Sequence, residues 1–255
     1  MRRTLDNVGS LGDILKDAAL LQLAQLITDA GTAKVTFLHT HAFQLRAACH
    51  DPEVWLRETT AELAAHEDYY DYFRSQHAVC KGRSYHCVTQ LVLDALGGDR
   101  VSLLLVESDP TTHCILERQL LDQGVQPTLM IDHIEELASS EQLPEAGTLL
   151  ALFDSFLCHR SEWVALCGAI QRVSGSGVAV VLVVYAFERS GDTYRWMLPP
   201  ESLEGPVAVI DRPPHHLAVY ATENLARNVA DVCNGLGWID PEEPPPPPRL
   251  PDWLL

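Results

Sequence analysis

The run Val101–Pro110, VSLLLVESDP, is the part of the sequence from which the fold class follows, because it is apolar at nearly every position before Glu107. Three further runs share this character: Gln126–Ile131 (QPTLMI), Leu149–Asp154 (LLALFD) and Val178–Phe187 (VAVVLVVYAF). Strands that are apolar without alternation are typically buried on both faces, as in a parallel sheet covered by helices. The sequence therefore predicts a doubly wound α/β domain.

Helical patterns and shorter strands surround these runs. Ser10 and Asp13 form a capping box that predicts an amphipathic helix through about Asp29, and Lys34–His39 (KVTFLH) follows it as the first strand. Further helices are predicted over residues 51–74, 85–96, 111–122, 133–139, 162–173 and 223–236, a loop or helix start over 42–49, and short strands over 207–211 and 217–220. This alternation predicts one domain over residues 1–240, with a helical insertion at about 50–84, and a proline-rich tail over 241–255.

Composition and charge limit the classes of partner. The 255 residues are 47% hydrophobic and 21% charged, which is typical of globular domains, and the net charge is −17. Such an acidic surface repels phosphate backbones and anionic lipids, and we therefore expect neither RNA nor a membrane as a partner. A small ligand or a protein partner is expected instead. Seven cysteines without a Cys-x-x-Cys pair indicate reduced thiols, and acidic residues interrupt the apolar stretch behind Met1. These features predict a cytoplasmic protein.

Three of the predicted strands end in polar residues. His39 ends the first strand and His41 lies just beyond it, Glu107 ends the second, and Asp154 ends the strand Leu149–Asp154. Ligands of doubly wound folds bind beyond the carboxyl ends of the strands, where the strand order reverses, so these residues mark the expected pocket. An acidic residue at the position of Glu107 suits hydrogen bonds to the two ribose hydroxyls of a nucleoside cofactor.

Several segments carry a resemblance to a known family: Asn7–Asp17 (NVGSLGDILKD), His39–Leu45 (HTHAFQL), Tyr85 with Thr89, Val101–Pro110, Asp132, and Leu149–Leu157 (LLALFDSFL). In order and spacing they resemble motifs of the ribosomal RNA large subunit adenine-N6 methyltransferase J family. The family patterns are His-Ala-Gly-Asn-His-x-Asp-x-x-Lys-His, Asp-Thr-His-Ala-Gly-x-Gly, Tyr-x-x-Gly-Ser, a strand with Glu-x-x-Pro, Ala-Asp-Gly, and a strand with Asp-Pro-Pro-Tyr. The resemblance covers roughly residues 7 to 240.

The resemblance implies a Rossmann-like class I methyltransferase fold that uses S-adenosylmethionine (SAM). Its mostly parallel seven-stranded sheet would have helices on both faces and a helical insertion after the first strand. It implies a set of cofactor-binding residues, namely Glu107, Asp132, His41, Thr89 and Lys16. It also implies a catalytic role for Asp154, which would accept hydrogen bonds from a flipped adenine, with Phe156 as the stacking residue.

Three departures bear on activity. Phe43, Gln44 and Leu45 replace the glycine-rich turn, where the absence of a Cβ lets the backbone approach the methionine moiety of the cofactor. The segment 154–157 reads Asp-Ser-Phe-Leu, so the rigid Pro-Pro turn is missing, and every histidine of the N-terminal motif is replaced. We therefore favour a catalytically inactive binding or scaffold module that keeps a nucleoside pocket. The alternatives are an active SAM-dependent methyltransferase, for adenine-N6 of RNA or another substrate, and a ligand-free protein-interaction subunit.

Each candidate residue also has a purely structural interpretation. Glu107 could be a polar strand end, Asp154 a helix N-cap, Lys16 a solvated helix residue and Asp13 a capping residue. His39 and His41, with Cys49 and His50 downstream, lack convincing third and fourth ligands, so we predict no metal site. His215 and His216 are predicted in a surface turn.

Two further segments could contact partners. Arg74, Lys81 and Arg83 lie near Tyr72, Phe73 and Tyr85, which predicts either a remnant of an RNA-facing surface or an ion-pair surface opposite residues 67–71. The tail Pro244–Leu255 starts with five prolines and ends near Trp253. It is interpreted as a disordered end or as a docking peptide, and we expect a protein partner at this tail or at the acidic surface.

Overall fold

The computed structural model describes residues 11–48, 69–80, 83–154, 160–187, 203, 205–212 and 215–237. The elements in chain order are α1 (Leu11–Asp29), β1 (Val35–His39), β2 (Arg46–Ala48), α2 (Tyr70–Cys80), β3 (Ser84–His86), α3 (Val88–Leu96), a 3-10 helix (Gly98–Arg100), β4 (Val101–Val106), α4 (Pro110–Asp122), β5 (Leu129–Ile131), a second 3-10 helix (Ile134–Ser139), β6 (Thr148–Asp154), α5 (Arg160–Gly175), β7 (Ala179–Phe187), β8 (Pro206–Arg212), β9 (His215–Ala221) and α6 (Glu223–Gly237).

Seven of these strands form one sheet in the order β5-β4-β1-β6-β7-β9-β8. Strand β1 pairs in parallel with both β4 and β6, so the strand order reverses between β1 and β6. Strand β9 is antiparallel to both of its neighbours, β7 and β8. This mostly parallel sheet with its one inserted antiparallel strand confirms the predicted Rossmann-like class I methyltransferase fold.

The central strands are buried on both faces, as their apolar composition predicts. All five residues of β1 and all seven of β6 are buried. Adjacent residues point to opposite faces: Phe37 belongs to the cluster that includes Leu20 of α1, and Leu38 to the cluster that includes Trp163 of α5. Two separate apolar cores therefore lie on the two sides of the sheet.

Helix α1 is not the amphipathic helix that the sequence predicts. Every residue from Ile14 to Leu21 is buried, including the charged residues Lys16 and Asp17. The reason is that α1 packs among α2, α3 and α6 and also contacts β7 and β9. Its charged side chains therefore need partners inside the protein.

The segment between β1 and β4 differs from the prediction in two places. Residues 46–48, predicted as loop or helix start, form β2, which pairs antiparallel with β3. The helix predicted over 85–96 begins only at Val88, because Tyr85 belongs to β3. The described helix of the insertion predicted at about 50–84 is α2, which overlaps the helix predicted over 51–74 at residues 70–74 and continues to Cys80. Residues 50–68, 81 and 82 of the insertion lie outside the described residues, so its extent stays a prediction.

The C-terminal part of the domain follows the prediction with one correction. His215 and His216 begin β9, so the surface turn predicted for them is wrong. Helix α6 ends the described part of the chain, and the tail 241–255 lies beyond it. Among the described residues, no helix combines the length and the apolar character needed to cross a lipid bilayer.

Candidate ligand pocket and the buried ion pair beside it

A pocket of about 40 Å³ lies where β1, β4 and β5 end, on one side of the point at which the strand order reverses. It is lined by Thr40, His41, Val106, Glu107, Ser108, Asp132, His133, Ile134, Glu135 and Glu162. The structure thus brings together three of the predicted site residues, Glu107, Asp132 and His41. The four carboxyl groups of the lining give the pocket an acidic character.

Glu107 is held by the start of α4. Its Oε1 accepts a hydrogen bond from the backbone N–H of Asp109 at 2.8 Å. Asp109 caps α4, since its Oδ1 accepts from the N–H of Thr112 at 2.8 Å, and Pro110 occupies the first turn. The positive end of the helix dipole favours the ionised form of a carboxylate at this position.

Asp132 is tied to the same helix by a histidine. The Nδ1 atom of His113 lies 3.0 Å from Asp132 Oδ1 and 3.3 Å from the backbone oxygen of Glu107. The side chain of Asp132 is 67% exposed, so this contact holds a carboxylate that otherwise faces solvent. His113 was not predicted as a site residue, because only the folded chain brings α4 against the residue after β5.

His41 contacts both its own strand end and α5. Its Nδ1 lies 2.8 Å from Thr40 Oγ1, and its Nε2 lies 3.7 Å from Glu162 Oε2. The same Thr40 Oγ1 accepts a hydrogen bond of 3.4 Å from the N–H of Asp154. The hydroxyl of Thr40 therefore connects the pocket to the end of β6.

The turn after β1, which the resemblance aligns with a glycine-rich turn, is held by backbone and side-chain hydrogen bonds. Ala42 donates its N–H to the Val106 carbonyl at 2.8 Å, which ties the turn to β4. The Oε1 atom of Gln119 accepts from the N–H groups of Leu45 and Arg46 at 2.7 and 3.1 Å. Phe43 is only 8% exposed, so its ring occupies interior volume. A bulky buried residue now stands where the resemblance implies space for the methionine half of SAM.

Asp154 lies in a buried ion pair and does not line the pocket. Its Oδ2 is 2.7 Å from Lys16 Nζ, which is also 2.7 Å from Asp13 Oδ1. The side chains of Lys16 and Asp154 are 5% and 2% exposed. Lys16 also lies over the ring of Tyr185, 5.2 Å from its centroid. The interpretation of Lys16 as a solvated helix residue is therefore wrong, whereas the capping role of Asp13 stays a prediction, because Ser10 lies outside the described residues.

Thr89 belongs to this buried group as well. Its Oγ1 lies 2.9 Å from His39 Nδ1, and His39 Nε2 lies 3.9 Å from Asp154 Oδ2. The cofactor roles of Thr89 and Lys16 stay predictions, although both residues contact this buried group and do not line the pocket. Within the described part of the chain, no group of three or more His, Cys, Asp or Glu side chains is arranged to hold a metal ion.

A buried hydrogen-bond chain that the sequence did not reveal runs beside the ion pair. Tyr85 donates its hydroxyl hydrogen to Asp17 Oδ2 at 2.7 Å, and its oxygen lies 2.8 Å from the Tyr72 hydroxyl. Burial raises the pKa of Asp17 well above its usual value, although Lys16 opposes this shift. Burial and the nearby Asp17 also raise the pKa of Tyr85. The helical pattern of the sequence does not show which residues a charged side chain contacts. The chain of Asp17, Tyr85 and Tyr72 is therefore visible only from the tertiary structure.

The aromatic members of the predicted basic and aromatic cluster do not lie on the surface of the described residues. Tyr72, Phe73 and Tyr85 are buried. Arg74 instead forms an exposed ion pair of 3.1 Å with Asp71, in agreement with the alternative interpretation. Lys81 and Phe156, the predicted stacking residue, lie outside the described residues.

No family model and no curated protein matches this sequence. Solved structures with a similar fold do match, and all those given below share less than 15% of their residues with this chain. Protein LPL1258 from Legionella pneumophila is 14% identical over 90% of this chain and 94% of its own, with a TM-score of 0.56. The putative methyltransferase yhhF from Escherichia coli is 8% identical over 80% and 85%, with a TM-score of 0.44. An rRNA methylase from Streptococcus thermophilus is 12% identical over 79% and 96%, with a TM-score of 0.35. The similarity to LPL1258 shows a shared fold alone, and the strand order identifies that fold as methyltransferase-like.

Proposed function

We propose that this protein binds an adenosine-type nucleoside at the pocket beside Glu107 and acts as a binding module that does not transfer a methyl group. Doubly wound folds bind ligands at the reversal of strand order, and the pocket lies beside that point. A carboxylate at Glu107 suits the two ribose hydroxyls, and one at Asp132 suits the amino group of adenine. These two acceptors fit the nucleoside half of SAM.

The observation that carries the proposal is the contrast between the two acidic strand ends. Glu107 lines the pocket, whereas Asp154 does not line it, is 2% exposed and is paired with Lys16 at 2.7 Å. To orient a methyl acceptor, Asp154 would first have to become accessible, and the buried ion pair with Lys16 would have to rearrange around the acceptor. That rearrangement is unfavourable, so we assign Asp154 to the fold and not to an acceptor.

The methionine half of SAM has little support in this site. Phe43 occupies interior volume in the turn, and the pocket volume of about 40 Å³ is far below the roughly 300 Å³ at which ligand pockets begin. Binding therefore requires the pocket to widen, and the free energy of that opening weakens the apparent affinity. We expect dissociation constants in the micromolar range or weaker, and similar values for adenosine and S-adenosylhomocysteine.

Titration calorimetry tests this on the full chain with adenosine, S-adenosylhomocysteine and ATP. We expect adenosine and S-adenosylhomocysteine to bind, and Glu107→Ala to lower both affinities at least tenfold. ATP should bind more weakly than adenosine, because the acidic lining repels its phosphates. Glu117→Ala is the matched control, since Glu117 is an exposed glutamate on α4.

Three results would contradict the proposal. Absence of nucleoside binding would favour the ligand-free interaction subunit that the sequence leaves open. S-adenosylhomocysteine binding more than tenfold tighter than adenosine would show that the methionine half fits after all. Transfer of a labelled methyl group from SAM to RNA or protein, abolished by Asp154→Ala, would establish the active methyltransferase, including the adenine-N6 activity implied by the resemblance.

A further inference from the structure

The ring of His113 bridges two of the strand ends that form the pocket. Its Nδ1 lies 3.0 Å from the Asp132 carboxylate after β5 and 3.3 Å from the backbone oxygen of Glu107 after β4. The ring is carried on a formed helix turn, since the N–H of His113 donates to the Asp109 carbonyl at 2.8 Å. One N–H at Nδ1 can be shared between these two oxygens.

The solvent exposures of the His113 and Asp132 side chains indicate that His113 fixes the orientation of Asp132. The Asp132 side chain is 67% exposed, whereas the His113 side chain is 23% exposed and sits on α4. An exposed carboxylate samples several rotamers, and a hydrogen bond to a more rigid donor selects one of them. Since Asp109 of the same helix holds Glu107 Oε1, the start of α4 orients both acidic residues.

We propose that His113 is a positioning residue that sets the distance between Glu107 and Asp132 and thereby makes the pocket selective for a base with an exocyclic amino group. This inference rests on the proposed nucleoside binding. His113 engages Oδ1 of Asp132, and the carboxylate keeps further lone pairs that accept hydrogen bonds from a ligand. An adenine amino group donates to them, whereas the carbonyl oxygen of hypoxanthine, itself an acceptor, is repelled.

Calorimetry with adenosine and inosine tests the role of His113. We expect His113→Ala to lower adenosine affinity about tenfold and to reduce the preference for adenosine over inosine. His113→Asn should recover much of both, because its amide nitrogen can replace Nδ1 as donor. His86→Asn is the matched control and should leave both unchanged, since His86 forms a comparable contact of 3.3 Å with Asp94, which is not among the pocket-lining residues.

A double-mutant cycle separates positioning from general stability. His113→Ala should have little further effect on adenosine affinity once Asp132 is alanine, because the two residues act through one contact. Full adenosine preference in a folded His113→Ala protein would overturn this inference and leave the nucleoside pocket standing. Absence of adenosine binding by the unaltered protein would overturn both.

Discussion

Lys16 and Asp154 are 138 positions apart in the chain, and their contact at 2.7 Å is the most consequential one for function. It places a positive charge between Asp154 and Asp13, next to the ring of Tyr185. Removal of the lysine would leave two carboxylates with no opposing charge from its ammonium group, one of them almost fully buried. The pair therefore couples the strand end β6 to helix α1.

We predict that Lys16→Met lowers the free energy of unfolding by about 3–5 kcal/mol, since it leaves a buried carboxylate without its ion-pair partner. Urea denaturation followed by circular dichroism measures this loss. Lys34→Met is the control, because Lys34 is exposed, and should change stability by less than about 0.5 kcal/mol. A loss as small as that of the control would contradict the structural role of the ion pair. Asp154→Asn, added to Lys16→Met, should recover part of the lost stability.

Asp17 predicts a dependence of stability on pH. Burial raises its folded-state pKa well above the unfolded value, so between these two values the folded state keeps a proton that the unfolded state has lost. Its stabilising contribution is therefore complete below the unfolded pKa and is lost as the pH rises through the folded pKa.

We expect Asp17→Asn to remove this dependence, because an amide keeps an acceptor for Tyr85 but does not ionise. Urea denaturation at pH 5, 7 and 8 should show the unaltered protein losing stability relative to Asp17→Asn as the pH rises. Asp29→Asn, an exposed substitution at the end of the same helix, is the control. A constant difference between the two proteins at all three pH values would contradict the assignment.

At the scale of elements, α1 lies so close to β7 that one position admits no side chain. A Cβ on Gly12 would overlap the hydroxyl of Tyr185, which itself lies 2.8 Å from His215 Nδ1. Burial lowers the pKa of His215 and favours its neutral form. The contact thus holds three elements, α1, β7 and β9, at a fixed separation beside Lys16.

We predict that Gly12→Ala costs about 1–3 kcal/mol of stability, because Tyr185 and His215 must shift to accept the methyl group. Gly168→Ala is the matched control. A Cβ at Gly168 on α5 meets no atom within 4 Å, so this substitution should stabilise the protein by up to about 1 kcal/mol. Thermal unfolding of both variants checks the opposite signs, and a stabilising Gly12→Ala would contradict the close packing of α1.

The helices and strands also show which parts of the fold can be predicted from sequence patterns. The strands β4, β6 and β7 were predictable because burial on both faces leaves a nearly continuous apolar run. Strands β2 and β3 were not, since three residues each are too short to display a period. The buried charges of α1 were missed because a charged residue in a helix is assigned to solvent unless its distant partners are known.

At the scale of the whole molecule, the charge and the fold are both compatible with a ligand that carries no phosphate. The net charge of −17 disfavours the binding of a phosphate backbone, and a methyltransferase-like fold with an acidic strand end suits a nucleoside without phosphates. Glu107 was identifiable from the sequence as an acidic strand end, whereas Asp132 was identified only by the resemblance to the methyltransferase family. His113 was not, because its role depends on where α4 packs.

We expect nucleoside binding at Glu107 to coexist with an Asp154 that stays paired with Lys16. A crystal structure of the protein with adenosine tests both parts at once. We expect the ribose hydroxyls within hydrogen-bond distance of the Glu107 carboxylate and Lys16 Nζ still within about 3 Å of Asp154 Oδ2. A pocket that stays empty in crystals grown with excess adenosine would contradict the proposed binding. An Asp154 turned away from Lys16 toward the ligand would contradict its structural role.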